Sequence, residues 1–146
     1  MTQVSIPIKL ISLQGEGFHL LVEIFVFGQF HHAVIDTGAS RSVFEKALVS
    51  AHPVEMILSE ELQANTLFSS AETVLATIPE LKIGKLILFN YSTLAIDLSS
   101  VTETYAQFGH PAVAAIIGSD ILLRYNAVID YSKMTLKMDR QPGQDF

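Results

Sequence analysis

The sequence predicts an all-β domain, a small barrel or sandwich with a few short helices, and three observations carry that expectation. Apolar residues alternate with polar ones along much of the chain, which is the period of a half-buried strand. Turn-forming residues such as Gly28, Ser69-Ser70 and Ser132-Lys133 separate these stretches. Only three segments have the pattern of a helix, and no internal repeat of solenoid type is present. With 146 residues the chain can bury one substantial core and is too short to divide comfortably into two.

The elements follow in order. Val4, Ile6, Ile8 and Leu10 fall on one face of a first strand, and Phe18, Leu20, Val22, Ile24 and Val26 repeat the pattern. Gly28-Gln29 is a turn and 30–35 the return strand, so 18–35 forms a hairpin that delivers Asp36 to the end of an apolar strand. A helix over 42–49 is expected from the capping-box pair Ser42 and Glu45. An alternating stretch at 54–58 precedes a second hairpin with arms near 62–68 and 72–78 and its tip at Ser69-Ser70. Strand-like sequence continues over 81–89 around Gly84. Further helices are expected at 101–108 and at 120–125, the latter capped by Ser119, before closing strands at 126–131 and 134–138.

Composition narrows the function classes. Fifteen acidic residues against nine basic ones give a formal charge of -6, and the cations are scattered, which disfavours binding to nucleic acid. Cysteine is absent, so disulfides, thiol nucleophiles and thiolate metal sites are excluded. No stretch approaches the length of a membrane span, and the beginning of the sequence lacks a basic region followed by an apolar run; a cytoplasmic protein is the expectation. There is no serine nucleophile elbow and no phosphate-cradling loop.

The candidate chemistry lies in Val34-Ile35-Asp36-Thr37-Gly38-Ala39-Ser40. If the strand enters the core and Gly38 lets the chain turn sharply, backbone N–H groups can aim at the carboxylate and hold it. Asp, Thr and Gly are also common turn residues, so the tripeptide alone is equally compatible with an ordinary surface turn. A second segment, Ala114-Ala115-Ile116-Ile117-Gly118-Ser119-Asp120-Ile121-Leu122, is followed by Val128-Ile129-Asp130-Tyr131.

Taken together, in this order, these segments resemble the retropepsin-like aspartic peptidases of bacterial type, which carry one Asp-Thr-Gly per chain. The resemblance extends over most of residues 4–138. It implies a closed retropepsin-like barrel over 1–140; the composition of 141–146, beginning Gln141-Pro142-Gly143-Gln144, gives the expectation of a flexible tail. The resemblance makes Asp36 the catalytic residue and Thr37, Gly38, Ala39 and Ser40 the support of its loop. Ile116, Ile117 and Gly118 would pack beneath that loop, and the hairpin at Phe68, Ser69 and Ser70 would cover the substrate as a flap. Chemistry of this kind uses two carboxylates that share a proton and hold the attacking water. A single motif per chain therefore implies a homodimer acting on a peptide or protein substrate, with no metal and no cofactor. The alternative is a non-catalytic dimeric or peptide-binding module that retains the fold.

The sequence departs from the retroviral pattern in several places. Ser40 and Ser119 stand where an Asp and an Arg commonly form an ion pair, so a Ser40 or Ser119 hydroxyl on backbone is expected to brace the dimer instead. Ala39 replaces the Ser or Thr of two-lobed relatives, which implies an optimum less acidic than theirs. The flap segment lacks paired glycines. Residues 89–113, with Tyr105, Phe108 and His110-Pro111, form a longer connection expected to cover a sheet edge or remodel a dimer interface.

Other polar residues have simpler readings. His31 and His32 point to opposite faces of a strand, which argues against a shared metal. Asp120 is expected to stabilise a helix start, and Asp130 to serve a turn. Phe25 and Phe27 are expected to form a second packed face.

Overall fold

The computed structural model describes residues 2–15, 17–58 and 73–143. Among these residues eleven strands run in chain order: β1 (Gln3–Pro7), β2 (Lys9–Ser12), β3 (Phe18–Val26), β4 (Gln29–Ile35), β5 (Val43–Glu45), β6 (Met56–Leu58), β7 (Val74–Ile83), β8 (Leu86–Ile96), β9 (Val113–Ile117), β10 (Val128–Asp130) and β11 (Thr135–Asp139). Among the described residues three short helices interrupt them: α1 (Lys46–Ser50), α2 (Ser99–Gln107) and α3 (Ser119–Arg124).

Six strands close into a barrel in the order β3-β4-β9-β5-β8-β7. Closure comes from β3, whose second half pairs with β7 from Ile24 opposite Ile83 to Val26 opposite Leu81. Its first half pairs on the same edge with β2. β4 and β9 run parallel, as do β5 and β8, whereas β5 and β9 are antiparallel. A separate antiparallel sheet, β1-β11-β10, covers one side, and its Val4, Ile6, Leu136 and Met138 join the main core.

Both faces of the central strands are buried. Leu20, Val22, Ile24, Ile35, Ala115 and Ile117 belong to the main cluster. Leu21, Val34, Val43 and Ile116 face a second cluster, onto which α2 lowers Tyr105. Burying each such aliphatic side chain contributes about 1.5–3 kcal/mol, so two-sided burial makes β4 and β9 the firmest support available for a loop.

Several expectations need correction. Ser42 and Glu45 do not form a capping box: 43–45 is strand, α1 starts at Lys46, and the Glu45 carboxylate accepts from the Ala47 N–H at 3.3 Å. Pairing with β8 and β9 outweighs the local helical preference there. The face of the first strand changes phase after Ile8, whose N–H bonds to the Met134 carbonyl; Leu10 is exposed while Ile11 and Leu13 are buried. Gly84, with φ of +59°, forms the tight link between β7 and β8, so 81–89 comprises two strands. Gly118 precedes α3 as its cap, without a side-chain capping bond, and Ser119 is its first residue. The connection after β8 is 97–112, because 89–96 is sheet.

The second hairpin lies largely outside the described residues, and with it Phe68, Ser69 and Ser70. What is described is antiparallel pairing of β6 with β7, from Met56 opposite Ala76 to Leu58 opposite Val74. At the other end, the Gly143 N–H donates to the Arg124 carbonyl at 2.7 Å. No helix of the described residues is long and apolar enough to cross a membrane.

Candidate active site

Asp36 leaves β4 at the point where two buried strands end together. Val34 stands beside Ile116 and Ile35 beside Ile117 in the parallel pair, and the Asp36 N–H extends that ladder to the Ile117 carbonyl at 2.9 Å. The chain then turns. The Gly38 N–H donates to Asp36 Oδ1 at 2.9 Å, and the Ala39 N–H donates to the Asp36 carbonyl at 3.1 Å. Asp36, Thr37 and Gly38 are exposed, so an acid at the end of an apolar strand meets solvent with one oxygen fixed by backbone. A β-carbon on Gly38 would sit 3.3 Å from that oxygen.

The loop is fastened to Gly118 from below. A β-carbon there would lie 2.8 Å from the Ala39 carbonyl oxygen and 2.9 Å from the Arg41 carbonyl carbon and oxygen, so the backbone approach admits only glycine. The Ser119 N–H donates to the Ala39 carbonyl at 2.8 Å, and Ser119 Oγ donates to the Ser40 carbonyl at 3.2 Å. The Ser119 hydroxyl thus bonds to backbone within its own chain.

A buried polar network that the sequence did not reveal completes the support. Ser42 Oγ accepts from the Gly118 N–H at 2.8 Å and donates to Asp120 Oδ1 at 2.7 Å. The same carboxylate oxygen accepts the Ser42 N–H at 2.9 Å, and Oδ2 accepts the Tyr91 hydroxyl at 2.6 Å. Thr93 Oγ1 donates to the Ser42 carbonyl at 3.1 Å. Burial, and then the charge of Asp120, push the Tyr91 hydroxyl far above its ordinary range, which keeps it a donor. Asp120 is therefore a cross-link between α3, β8 and the segment after the Asp36 loop, rather than only a helix-start carboxylate. No spacing in the sequence announces it, since its partners lie 78 and 29 positions away.

Asp36 opens onto a cleft of about 270 Å³ whose walls include Phe18, His19, Val34, Thr37, Ile129 and Tyr131. Among its described lining residues Asp36 is the only carboxylate. His19 Nδ1 lies 2.5 Å from the hydroxyl of Tyr105, a side chain only 1% exposed on α2. Burial, with the charge of Asp36 second, pushes the Tyr105 hydroxyl up to about 12.

The remaining candidates are not among the residues lining this cleft. His31 has a buried Nε2 with no partner among the described residues, and burial, followed by the neighbouring His32 and His52, lowers its pKa. No cluster of metal-ligating residues occurs among the described residues. Asp130 Oδ1 accepts from Ser132 Oγ at 2.8 Å and the Lys133 N–H at 3.0 Å, which is turn chemistry as expected. Phe25 packs edge-on against Phe30, and Phe27 stacks on His52.

Residues 22–121 match the aspartyl protease family. The chain belongs to that family. Its fold is that of the retropepsin-like members: it is similar to a retropepsin-like aspartic protease from Rickettsia conorii, at 18% identity, 94% coverage of this chain, 90% of that one and a TM-score of 0.55. It is also similar to the retroviral protease-like domain of Ddi1 from Leishmania major, at 16% identity, with 82% and 87% of the two chains covered and a TM-score of 0.52. No curated protein matches the sequence. Family membership gives a protease-type function.

Proposed function

We propose that this aspartyl protease family member is an endopeptidase that works as a homodimer through paired Asp36 carboxylates, with 1–140 as the peptidase domain. The observation that carries the reading is a fixed, solvent-facing Asp36 in a cleft that supplies one carboxylate where the chemistry requires two. A second copy related by a two-fold axis supplies the other, with Thr37 near that axis. One carboxylate of the pair takes a proton from a water held between them while the other, protonated, hydrogen-bonds the scissile carbonyl. The hydroxide equivalent adds to the carbonyl carbon. The tetrahedral intermediate collapses as the amine nitrogen receives a proton and the C–N bond breaks. Gly38 fixes one oxygen of each Asp36 and leaves the other for water, which is the arrangement such a pair needs. Phe68, Ser69 and Ser70 would close over the bound peptide as a flap.

Asp36→Asn tests the assignment. Asn keeps the size and still accepts from Gly38 N–H, but it is no base at neutral pH. Cleavage of a peptide library should vanish while thermal unfolding and sedimentation stay those of the parent. Undiminished cleavage by the pure variant, or cleavage by a strictly monomeric wild type across a wide concentration range, would defeat the reading.

A further inference from the structure

We propose that His19, held by Tyr105, is a specificity-determining residue of the Asp36 cleft, and that it recognises an acidic side chain on the peptide next to the scissile bond. The inference rests on the peptidase reading for its substrate, but its geometry is independent of turnover.

Leu20 stands opposite Ile35 at the end of the β3–β4 pairing, so His19 stands level with Asp36, one step further along the ladder. Both line the same cleft. By the alternation of β3, His19 shares the face of Leu21, and that face carries Tyr105 from α2. The imidazole is exposed, yet it is not free to wander. Its Nδ1 meets the Tyr105 hydroxyl at 2.5 Å and its ring packs edge-on against the phenol at 5.6 Å. Tyr105 is fixed in turn by burial and by an edge contact with His110, whose Nε2 is 2.8 Å from the Ser12 carbonyl oxygen. The connection 97–112 thus reaches across to the mouth of the cleft and orients one ring there.

The chemistry of that ring is specific. In the neutral tautomer that carries its proton on Nε2, Nδ1 accepts the Tyr105 O–H. In imidazolium Nδ1–H donates to the phenol oxygen and Nε2–H remains. In both of these states His19 offers Nε2–H as a donor. Apart from Asp36, Thr37 and the Tyr131 hydroxyl, the rest of the described lining is hydrocarbon, so His19 is the one lining group able to carry positive charge. A substrate carboxylate in this cleft is repelled by Asp36 and, among the described lining residues of one chain, has His19 alone as a cationic partner, so the preference depends on that residue.

Pairs of peptides differing only by Glu or Gln at each position flanking the scissile bond test this at mildly acid pH. Wild type should favour the Glu member by about tenfold in kcat/KM at one position, the scale of one hydrogen bond to a charged group. His19→Gln should bring that ratio near unity, and His19→Arg should restore it, which a merely structural residue would not do. Tyr105→Phe should lower the ratio part-way. An equal Glu-to-Gln ratio in wild type and His19→Gln would overturn the proposal. The same peptides titrated into Asp36→Asn protein, with the His19 imidazole followed by nuclear magnetic resonance, give a readout without turnover. Binding that depends on His19 in a protein whose wild type cleaves nothing would defeat the peptidase reading and keep the site. Cleavage or binding indifferent to His19 would keep the peptidase reading and defeat the site.

Discussion

Ser42→Ala removes one oxygen and should cost far more than a surface serine. That oxygen accepts the buried Gly118 N–H and donates to the Asp120 carboxylate. Serine 42 is 1% exposed, so water cannot take over either bond without opening the loop. Leaving a buried N–H without a partner costs about 1–3 kcal/mol, and losing a hydrogen bond to a charged acceptor about 1.5–3 kcal/mol. Asp120 Oδ1 keeps the Ser42 backbone N–H, which holds the second contribution at its lower end. The expected loss is about 3 kcal/mol, a large share of the roughly 5–15 kcal/mol that a domain possesses. Urea unfolding of wild type and variant measures it as a fall in midpoint at unchanged slope. Ser50→Ala, on the exposed end of α1, is the control and should change stability by less than about 0.5 kcal/mol. Peptidase activity should fall further than stability does, because the loop that carries Asp36 rests on Gly118. A loss below about 1 kcal/mol would refute the claim that this hydroxyl ties the two segments together.

Gly118→Ala places a β-carbon 2.8 Å from the Ala39 carbonyl oxygen, so it should destabilise by about 3 kcal/mol or more and abolish cleavage, as thermal unfolding and peptide assays would show. Alkaline pH tests Tyr105. Its folded pKa of about 12 exceeds the ordinary 10.0, so its contribution is complete below pH 10 and is lost as pH rises toward 12. Wild type should therefore lose on the order of 2 kcal/mol more than Tyr105→Phe across that window. Tyrosinate absorbance during unfolding at stepped pH measures the difference, and parallel curves would contradict it.

How much was legible in the sequence depends on which physical signal each part left there. β3 is readable because apolar residues alternate along its sequence, β4 because it follows the Gly28-Gln29 turn as the return arm, and Asp36 because a carboxylate after Val34-Ile35 breaks an apolar pattern. β9 left no such period: all five of its residues are buried, so it reads as an undivided apolar run, and it was recognised only as the hydrophobic pair before Gly118. The Ser42 reading failed in an instructive way. Ser42 and Glu45 have the spacing of a helix cap, yet each is used over a long range, Ser42 on Gly118 and Asp120, Glu45 on the Leu98 N–H at 2.9 Å as well as on Ala47. Local spacing cannot report partners that only the closed barrel brings near. The His19–Tyr105 contact was hidden for the same reason, being 86 positions apart.

The parallel pairing of β4 with β9 also has a temporal consequence. His32 and Val113 meet across about eighty residues of chain, so this contact forms only after a large loop has closed, and such topologies fold slowly. During synthesis Asp36 emerges long before Ile117, Gly118 and Asp120, and until they follow there is no carbonyl for its N–H and no platform under its turn. The ribosome-bound chain thus carries the acid without the geometry. Whatever chemistry the Asp36 loop performs is, by this topology, available only to the completed chain.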